Sequence, residues 1–213
     1  NMKKALILLL KGYVMKIVCL DFAGVLVPEI WVNLAHQTEI DELKVTTRDI
    51  SDYDELMRYR LGVMQKHDLG YNELSTAAKS LKPLNGAAEF LNWLRQYCQV
   101  AIISDTFYEL AGPLLETLGY PMTLCHRLEV GPDGKINDYC LRQKDPKRHS
   151  VQAFQNLNYE VIAAGDSYND ISMLEQAEEG ILFKPAKKVA EDYPVYPIAN
   201  NYTELSDMIT ALL

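Results

Sequence analysis

The sequence predicts an α/β fold built on a doubly wound parallel sheet. The first observation is a set of short apolar runs at positions 17–20, 100–103, 161–164 and 181–183, each of which stops at a polar or glycine-containing turn. Continuous apolar runs of this length are typical of strands that are buried on both faces, as in a parallel sheet. The second observation is that amphipathic helical patterns alternate with these runs, which is the order expected of a doubly wound sheet.

The helical patterns are apolar residues that recur at the i, i+3, i+4, i+7 spacing of one helix face. They predict helices at 87–94, 151–157 and 205–212. The turn residues at 131–134 (GPDG) predict a β-hairpin in this part of the chain.

The chain of 213 residues suits one domain that carries a modest insertion. We expect residues 15–28 and 84–213 to form the α/β core. Residues 29–83 hold several helical patterns and few strand-like runs, so we expect a small helical cap inserted after the first strand. Residues 1–14 are interpreted as an appendage, either a tag remnant or an upstream start. Their apolar run at 5–10 is too short to span a membrane, and no cleavage site follows it.

The chain is acidic, with 21 Lys and Arg residues against 29 Asp and Glu residues and a net charge of -8. This balance argues against binding to nucleic acids or anionic membranes, although a few local donors can still hold a small anionic substrate. The four cysteines form no CxxC pair. This argues against a zinc site and predicts reduced thiols in a cytoplasmic protein. The sequence leaves the oligomeric state open, a homodimer included.

Three predicted strands end at side chains that carry chemistry, namely Asp21, Ser104 with Asp105, and Asp166. Ligands of an open α/β sheet bind outside the carboxyl ends of its strands, so we expect these side chains on one rim. A basic segment at 144–148 precedes the helix that leads into the third strand. Capping of the next helix would explain a single aspartate at a strand end. It does not explain why three such strand ends and the basic segment occur in this order. Carboxylates suit Mg²⁺, and a lysine with a hydroxyl suits a phosphoryl group.

Four motifs in this order resemble those of the haloacid dehalogenase superfamily. Residues 21–25 (DFAGV) resemble the first motif, 104–106 (SDT) the second, Lys147 the third and 165–170 (GDSYND) the fourth. From Met15 onward the chain is most similar to the phosphoserine phosphatase group, including members that also transfer the phosphoryl group to homoserine. The resemblance implies a Rossmann-like core with a helical cap. It also implies Mg²⁺-dependent phosphoryl transfer from O-phosphoserine to water or homoserine.

The resemblance assigns the nucleophile and the metal ligands. Asp21 would attack phosphorus and form an aspartyl-phosphate. The Mg²⁺ ion would be held by the Asp21 carboxylate, the backbone carbonyl of Ala23 and Asp166. Asp170 would not bind the metal directly but would hold these ligands in position.

The same resemblance implies that Ser104 and Lys147 bind the phosphoryl oxygens. Asn169 and the backbone N–H of Asp105 are further candidates for this role. Lys144 is the alternative to Lys147. The spacing favours Lys147, because apolar residues follow it at i+4 and i+7 and place it on the inward face at the helix start.

Ala23 departs from the family pattern, which has an acid two residues after the nucleophile. Such an acid protonates the leaving serine alkoxide and then deprotonates the attacking water or acceptor hydroxyl. General acid–base groups typically contribute ~10²–10⁴-fold. We therefore expect a weakened catalyst that still binds metal and phosphate. Three explanations stay open: a natural or engineered substitution in a true enzyme, a proton from another group, or a catalytically impaired protein that binds phosphate or phospho-amino acids.

One helix of the predicted cap carries an arginine on an apolar face. Tyr53, Met57, Arg60 and Met64 follow one another at helical spacing and share a single stripe. A guanidinium there needs an anionic partner or water. It forms either an internal ion pair, or a contact with solvent, or a clamp for a substrate carboxylate. The resemblance implies the clamp, with Glu29 facing the substrate ammonium.

Overall fold

The computed structural model describes residues 14–50 and 52–213. Apart from Val14, the predicted N-terminal appendage lies outside the described residues. Within them, a seven-stranded sheet carries helices on both faces, which confirms the predicted α/β class.

The strands are β1 (Met15–Leu20), β2 (Gln99–Phe107), β3 (Met122–Val130), β4 (Ile136–Cys140), β5 (Tyr159–Gly165), β6 (Glu179–Phe183) and β7 (Ile198–Ala199). Their order in the sheet is β4-β3-β2-β1-β5-β6-β7. All neighbours are parallel except β3 and β4, which form the predicted hairpin. Each of the four predicted apolar runs lies within a strand.

The helices are α1 (Ile30–Thr38), α2 (Tyr53–Lys66), α3 (Tyr71–Ser80), α4 (Ala87–Leu94), α5 (Tyr108–Thr117), α6 (Pro146–Asn156), α7 (Ile171–Gln176), α8 (Lys187–Asp192) and α9 (Tyr202–Leu212). Short 3-10 turns span Asp41–Lys44 and Tyr168–Asp170. No helix in the described ranges is both long and apolar enough to cross a membrane.

The sheet is buried on both faces, which explains why its strands read as continuous apolar runs. In β1, Val18 and Leu20 belong to the core that includes α4, α5 and α9. Ile17 and Cys19 point to the opposite core, which includes α6 and α7. Successive side chains of a strand face opposite sides, so both sets must be apolar.

Three helices, α1 to α3, form the segment inserted between β1 and α4. Asp52 begins α2 as its N-cap, since its Oδ1 accepts the Glu55 N–H at 2.9 Å. Helix α1 packs against α3. These helices fall inside the predicted range 29–83, and the division into a core and a cap remains our prediction.

The β3–β4 hairpin fastens this inserted segment to the core. The Tyr71 N–H at the start of α3 donates to the Gly134 carbonyl in the hairpin turn (2.9 Å). Lys135 Nζ lies 2.6 Å from Oδ1 of Asp68. The backbones meet closely, because a Cβ added to Gly70 would lie 2.7 Å from the Gly134 carbonyl oxygen.

We expect the substitution Gly70→Ala to lower the free energy of unfolding by about 1–3 kcal/mol, because the new methyl group forces two backbones apart. The matched control is Gly62→Ala, at an exposed position of α2 where an added Cβ meets nothing within 4 Å. Its gain in helix propensity should stabilise the protein by about 1 kcal/mol. Urea unfolding measures both variants. A Gly70→Ala protein as stable as the parent would contradict the close contact.

Candidate functional site

The residues predicted from the strand ends come together at the carboxyl edge of the central strands. Asp21 follows β1, Ser104 lies near the end of β2, and Asp166 follows β5. The Asp21 N–H donates to the Ala164 carbonyl at 2.9 Å, which extends the pairing of β1 with β5 into the site. The parallel register of these strands is what gathers three distant positions on one rim.

A tight turn after β1 brings the first motif against Asp166. The N–H groups of Leu26 and Val27 donate to the Phe22 carbonyl. Gly24 has φ +86°, and a Cβ built on it would lie 2.5 Å from the carboxyl carbon of Asp166. Both the backbone conformation and the lack of space therefore require glycine at position 24.

Lys147 is the cation at the centre of the site. Its Nζ lies 2.7 Å from Oδ1 of Asp21, 2.5 Å from Oδ1 of Asp170 and 3.7 Å from Oδ2 of Asp105. Burial alone would lower the pKa of Lys147, but these three carboxylates raise it well above its usual value. The lysine is 1% exposed and stays charged, whereas Lys144 is exposed to solvent.

Asp170 holds the loop after β5 in place. Its Oδ2 accepts the backbone N–H groups of Asp166 (2.9 Å) and Ser167 (3.0 Å), while its other oxygen accepts from Lys147. A Cβ on Gly165 would lie 2.3 Å from the Asp170 side chain, so this close approach also depends on a glycine. Asp170 thus sets the orientation of the fourth motif.

The donor set fits a hard divalent cation. One oxygen from each of Asp21, Asp166 and Asp170 lies within 4.8 Å of the others. Oδ1 of Asp166 is buried and has no hydrogen-bond partner among the described residues. Burial and the neighbouring Asp170 charge raise the pKa of Asp21 well above its usual range and that of Asp166 to about 7. A bound cation would stabilise the ionised form of these carboxyl groups and so lower their pKa values. Carboxylate oxygens are also the ligands that Mg²⁺ prefers.

The Asp105 side chain takes part in the site in a way that the sequence did not predict. Its Oδ2 accepts from Asn169 (2.7 Å), and its Oδ1 lies 3.3 Å from Nε2 of the buried His126. The Arg142 N–H donates to Nδ1 of His126 (3.2 Å), so Nε2 carries the proton and donates to Asp105. Burial would raise the pKa of Asp105, but Lys147 and these hydrogen bonds hold it at about 2.

The Asn169 amide is held by its neighbours. Its Oδ1 accepts from the hydroxyl groups of Ser167 (2.5 Å) and Thr47 (3.2 Å), while its nitrogen donates to Asp105. The expected contacts of Asn169 and of the Asp105 N–H with a phosphoryl group remain predictions.

Arg60 lies on the buried stripe of α2, at the edge of the same pocket. Its Nη2 donates to the Val45 carbonyl (2.9 Å), and its guanidinium carbon lies 4.8 Å from the centre of the Trp31 ring. Nε is buried and has no partner among the described residues. Burial lowers the pKa of Arg60 to about 10, although Tyr53 and Glu29 oppose this. The cation–π contact with Trp31 orients the guanidinium, a role that helix periodicity does not reveal.

Glu29 is partly buried immediately before α1 and lines the same pocket as Arg60. Burial raises the pKa of its carboxyl group, and the charges of Arg60 and Arg48 partly offset this. The structure therefore brings the predicted pair Glu29 and Arg60 together.

The turn before α2 adds two residues that the sequence pattern missed. Thr47 Oγ1 lies 3.2 Å from Ser167 Oγ, and Arg48 Nη2 lies 2.5 Å from Oδ2 of Asp166. Both residues come from a segment without strand or helix periodicity, so no pattern in the sequence marks them.

These side chains surround one pocket between the sheet edge and the inserted segment. Its wall includes Asp21, Ala23, Glu29, Trp31, Thr47, Tyr53, Arg60, Ser104, Asp105, Ser167 and Asn169. The pocket thus combines the Asp21 carboxylate, which also belongs to the acidic cluster, with hydroxyl groups and a buried arginine. This set can hold a small molecule that carries a phosphoryl group and a second anionic group.

We expect Asp105→Asn to destabilise the protein by roughly 2 kcal/mol at pH 7, because the pKa of Asp105 lies at about 2 in the folded state against 3.8 unfolded. A carboxyl group with a depressed pKa stabilises the fold above its unfolded pKa, and the effect is lost as the pH falls through the folded pKa. Roughly half of the difference should remain at pH 3. Urea unfolding at several pH values measures it.

The matched control for this substitution is Asp138→Asn, which removes an exposed ion pair with Arg58. We expect a loss of less than ~1 kcal/mol for the control. A pH-independent loss in Asp105→Asn would contradict the charge-based account.

Known proteins resemble this chain in both sequence and structure. The family model for haloacid dehalogenase-like hydrolases matches residues 15–178. The phosphoserine phosphatase ThrH of Pseudomonas aeruginosa is 52% identical over 191 residues, which cover 90% of this chain and 93% of that protein. A phosphoserine phosphatase of Pseudomonas syringae pv. tomato is 50% identical, with 89% of this chain and 80% of that protein covered.

A solved structure described as a phospho-aspartyl intermediate analogue of phosphoserine phosphatase superposes with a TM-score of 0.68 at 25% identity. The match covers 86% of this chain and 92% of that one. These similarities, together with the four motifs gathered at the strand ends, confirm the resemblance that the motifs predicted. The chain belongs to the haloacid dehalogenase-like hydrolases.

Proposed function

We propose that this hydrolase transfers the phosphoryl group of O-phosphoserine to water or to homoserine through an aspartyl-phosphate. The observation that supports this most directly is the buried contact of Lys147 with Asp21, which lines the same pocket as Ser104. The names of the two Pseudomonas relatives support the same substrate. The intermediate analogue in the related structure supports an aspartate nucleophile.

In the proposed first step, a carboxylate oxygen of Asp21 attacks phosphorus and the P–O bond to serine breaks. Lys147 donates to Oδ1 of Asp21, which leaves Oδ2 free to attack. The serine oxygen takes up a proton from solvent as it leaves, because position 23 carries no acid. Attack of water on the phosphorus of the aspartyl-phosphate, with loss of a proton to solvent, then releases inorganic phosphate and restores Asp21. Attack by the homoserine hydroxyl, which loses its proton in the same way, gives O-phosphohomoserine.

Ser104 and Lys147 are proposed to bind the phosphoryl oxygens, with Asn169 and the Asp105 N–H beside them. The Ser104 hydroxyl oxygen accepts the Thr106 N–H (3.1 Å), so its own hydrogen is available to a phosphoryl oxygen. The ammonium of Lys147 would offset the charge that develops in the transition state.

Mg²⁺ is proposed to bind the Asp21 carboxylate, the Ala23 backbone carbonyl and Asp166. Asp170 would hold these ligands in position without binding the ion itself. When bound, Mg²⁺ reduces the repulsion between the nucleophilic carboxylate and the phosphoryl dianion. The unpartnered buried oxygen of Asp166 supports this assignment.

The inserted segment 29–83 is proposed to act as a cap that selects the substrate. Arg60, whose buried Nε lacks a partner among the described residues, would bind the substrate carboxylate, and Glu29 would face the ammonium group. Together the two residues would distinguish phosphoserine from inorganic phosphate.

Ala23 supports a second candidate function, that of a catalytically impaired protein that binds phosphate or phospho-amino acids. The pocket retains groups for binding, but position 23 has no acid to exchange protons. Asp105 does not replace that acid, because its pKa of about 2 keeps it ionised.

We expect Ala23→Glu to raise the rate of phosphoserine hydrolysis by ~10²–10⁴-fold, because it restores the general acid–base group. The control Ala23→Gln has a side chain of similar size without the acid and should not accelerate turnover. Inorganic phosphate release with saturating Mg²⁺ measures the rates, and trapping of the acyl phosphate tests Asp21. Equal rates for the parent and the Glu variant would exclude the acid–base explanation. Phosphoserine binding without turnover or acyl phosphate in the parent would favour the binder.

We expect Arg60→Ala to weaken phosphoserine binding roughly 10–100-fold, as for the loss of a charge-assisted hydrogen bond, and to affect inorganic phosphate much less. The control Arg58→Ala removes an arginine of the same helix whose side chain is 58% exposed and pairs with Asp138. It should change neither affinity. Titration calorimetry with both ligands makes the comparison, and equal losses for both in Arg60→Ala would contradict the carboxylate clamp.

A further inference from the structure

Arg48 reaches from the inserted segment into the carboxylate cluster. Its Nη2 lies 2.5 Å from Oδ2 of Asp166. The Asp166 side chain is 2% exposed, whereas that of Arg48 is 44% exposed. The guanidinium therefore contacts a buried carboxylate from the mouth of the site.

A folded turn carries this arginine. The Thr46 N–H donates to Oδ2 of Asp49 (2.9 Å), which closes the turn around Arg48. The adjacent Thr47 hydroxyl lies 3.2 Å from that of Ser167. The Thr47 hydroxyl also donates to Oδ1 of Asn169 (3.2 Å), so two contacts of Thr47 with the loop after β5 fix where the Arg48 side chain enters.

Arg48 is the cation that balances Asp166. Lys147 donates to Asp21 and Asp170, at 2.7 Å and 2.5 Å. Within residues 14–50 and 52–213, Arg48 is the only residue that forms an ion pair with Asp166. A divalent cation at Asp166 would supply the same neutralisation.

A divalent cation and the guanidinium compete for this carboxylate. Mg²⁺ binds oxygen ligands at ~2.0–2.1 Å. On Oδ2 the ion would take the place of the Arg48 Nη2. On Oδ1 its charge would face the guanidinium across the same carboxylate group, where charges of the same sign repel. Once the ion is bound, Asp166 attracts Arg48 much less strongly.

We propose that Arg48 leaves Asp166 when a divalent cation binds and then holds an anionic group of the substrate, as a second arginine beside Arg60. This inference rests on the proposed function. Arg48 is suitably placed, because it lines a neighbouring cavity together with Glu29, which also lines the pocket. The released guanidinium therefore stays within electrostatic reach of a bound ligand.

The exchange predicts opposite effects on two ligands. We expect Arg48→Ala to bind Mg²⁺ roughly tenfold more tightly without substrate, and O-phosphoserine roughly tenfold more weakly at saturating Mg²⁺. Arg48→Lys should lie between the parent and the alanine variant in both titrations. The control Arg58→Ala, on the same inserted segment but paired with Asp138, should match the parent in both. Titration calorimetry on the full chain measures each affinity.

Unchanged or weaker Mg²⁺ binding by Arg48→Ala would overturn the exchange. If Arg48→Ala only disordered the turn, the variant would not bind Mg²⁺ more tightly. Tighter Mg²⁺ binding therefore distinguishes the proposed exchange from structural damage. Tighter Mg²⁺ binding with unchanged phosphoserine affinity would overturn the substrate role. If the parent itself binds no O-phosphoserine, the proposed function fails, while the Mg²⁺ titration still decides the exchange.

Discussion

The site depends on one buried ammonium group that three carboxylates surround. Removing a charged group from water costs several kcal/mol, and only close partners with good geometry recover that cost. Lys147 has such partners in Asp21 and Asp170, with Asp105 further out. Loss of one partner would leave buried charge uncompensated. The lysine therefore constrains both the nucleophile and the loop after β5, although 126 positions separate it from Asp21.

The fold satisfies this constraint through parallel strands and two close backbone approaches. The register of β1 with β2 and β5 places the chemical groups on one edge of the sheet. Gly24 and Gly165 then let Asp166 and Asp170 come closer to the backbone than a Cβ would permit. The acidic cluster is therefore compact, and its excess negative charge needs cations from outside the core. Arg48 supplies one from the inserted segment.

The sequence predicts the parts of this site that follow strand ends or helix periodicity. Asp21, Ser104 and Asp166 end apolar runs, and Lys147 and Arg60 fall on inward helix faces, so their convergence follows from the topology. The other contacts join side chains across elements. His126 faces Asp105 from β3, and Trp31 faces Arg60 from α1. Such contacts depend on how elements pack in three dimensions, and a one-dimensional pattern does not encode them.

The attachment of the inserted segment to the hairpin has a mechanical consequence. Tyr71 and Lys135 join it to the β3–β4 side through a backbone hydrogen bond and an ion pair. On the other side, the turn with Thr47 and Arg48 touches the core through side chains alone in the hydrogen bonds described. The inserted segment is therefore tied to the hairpin partly through its backbone, whereas the 46–49 turn is held to the loop after β5 by the side chains of Thr47 and Arg48. Substitution of these two side chains alone could therefore detach the turn from the loop after β5, whereas the backbone hydrogen bond to the hairpin would persist.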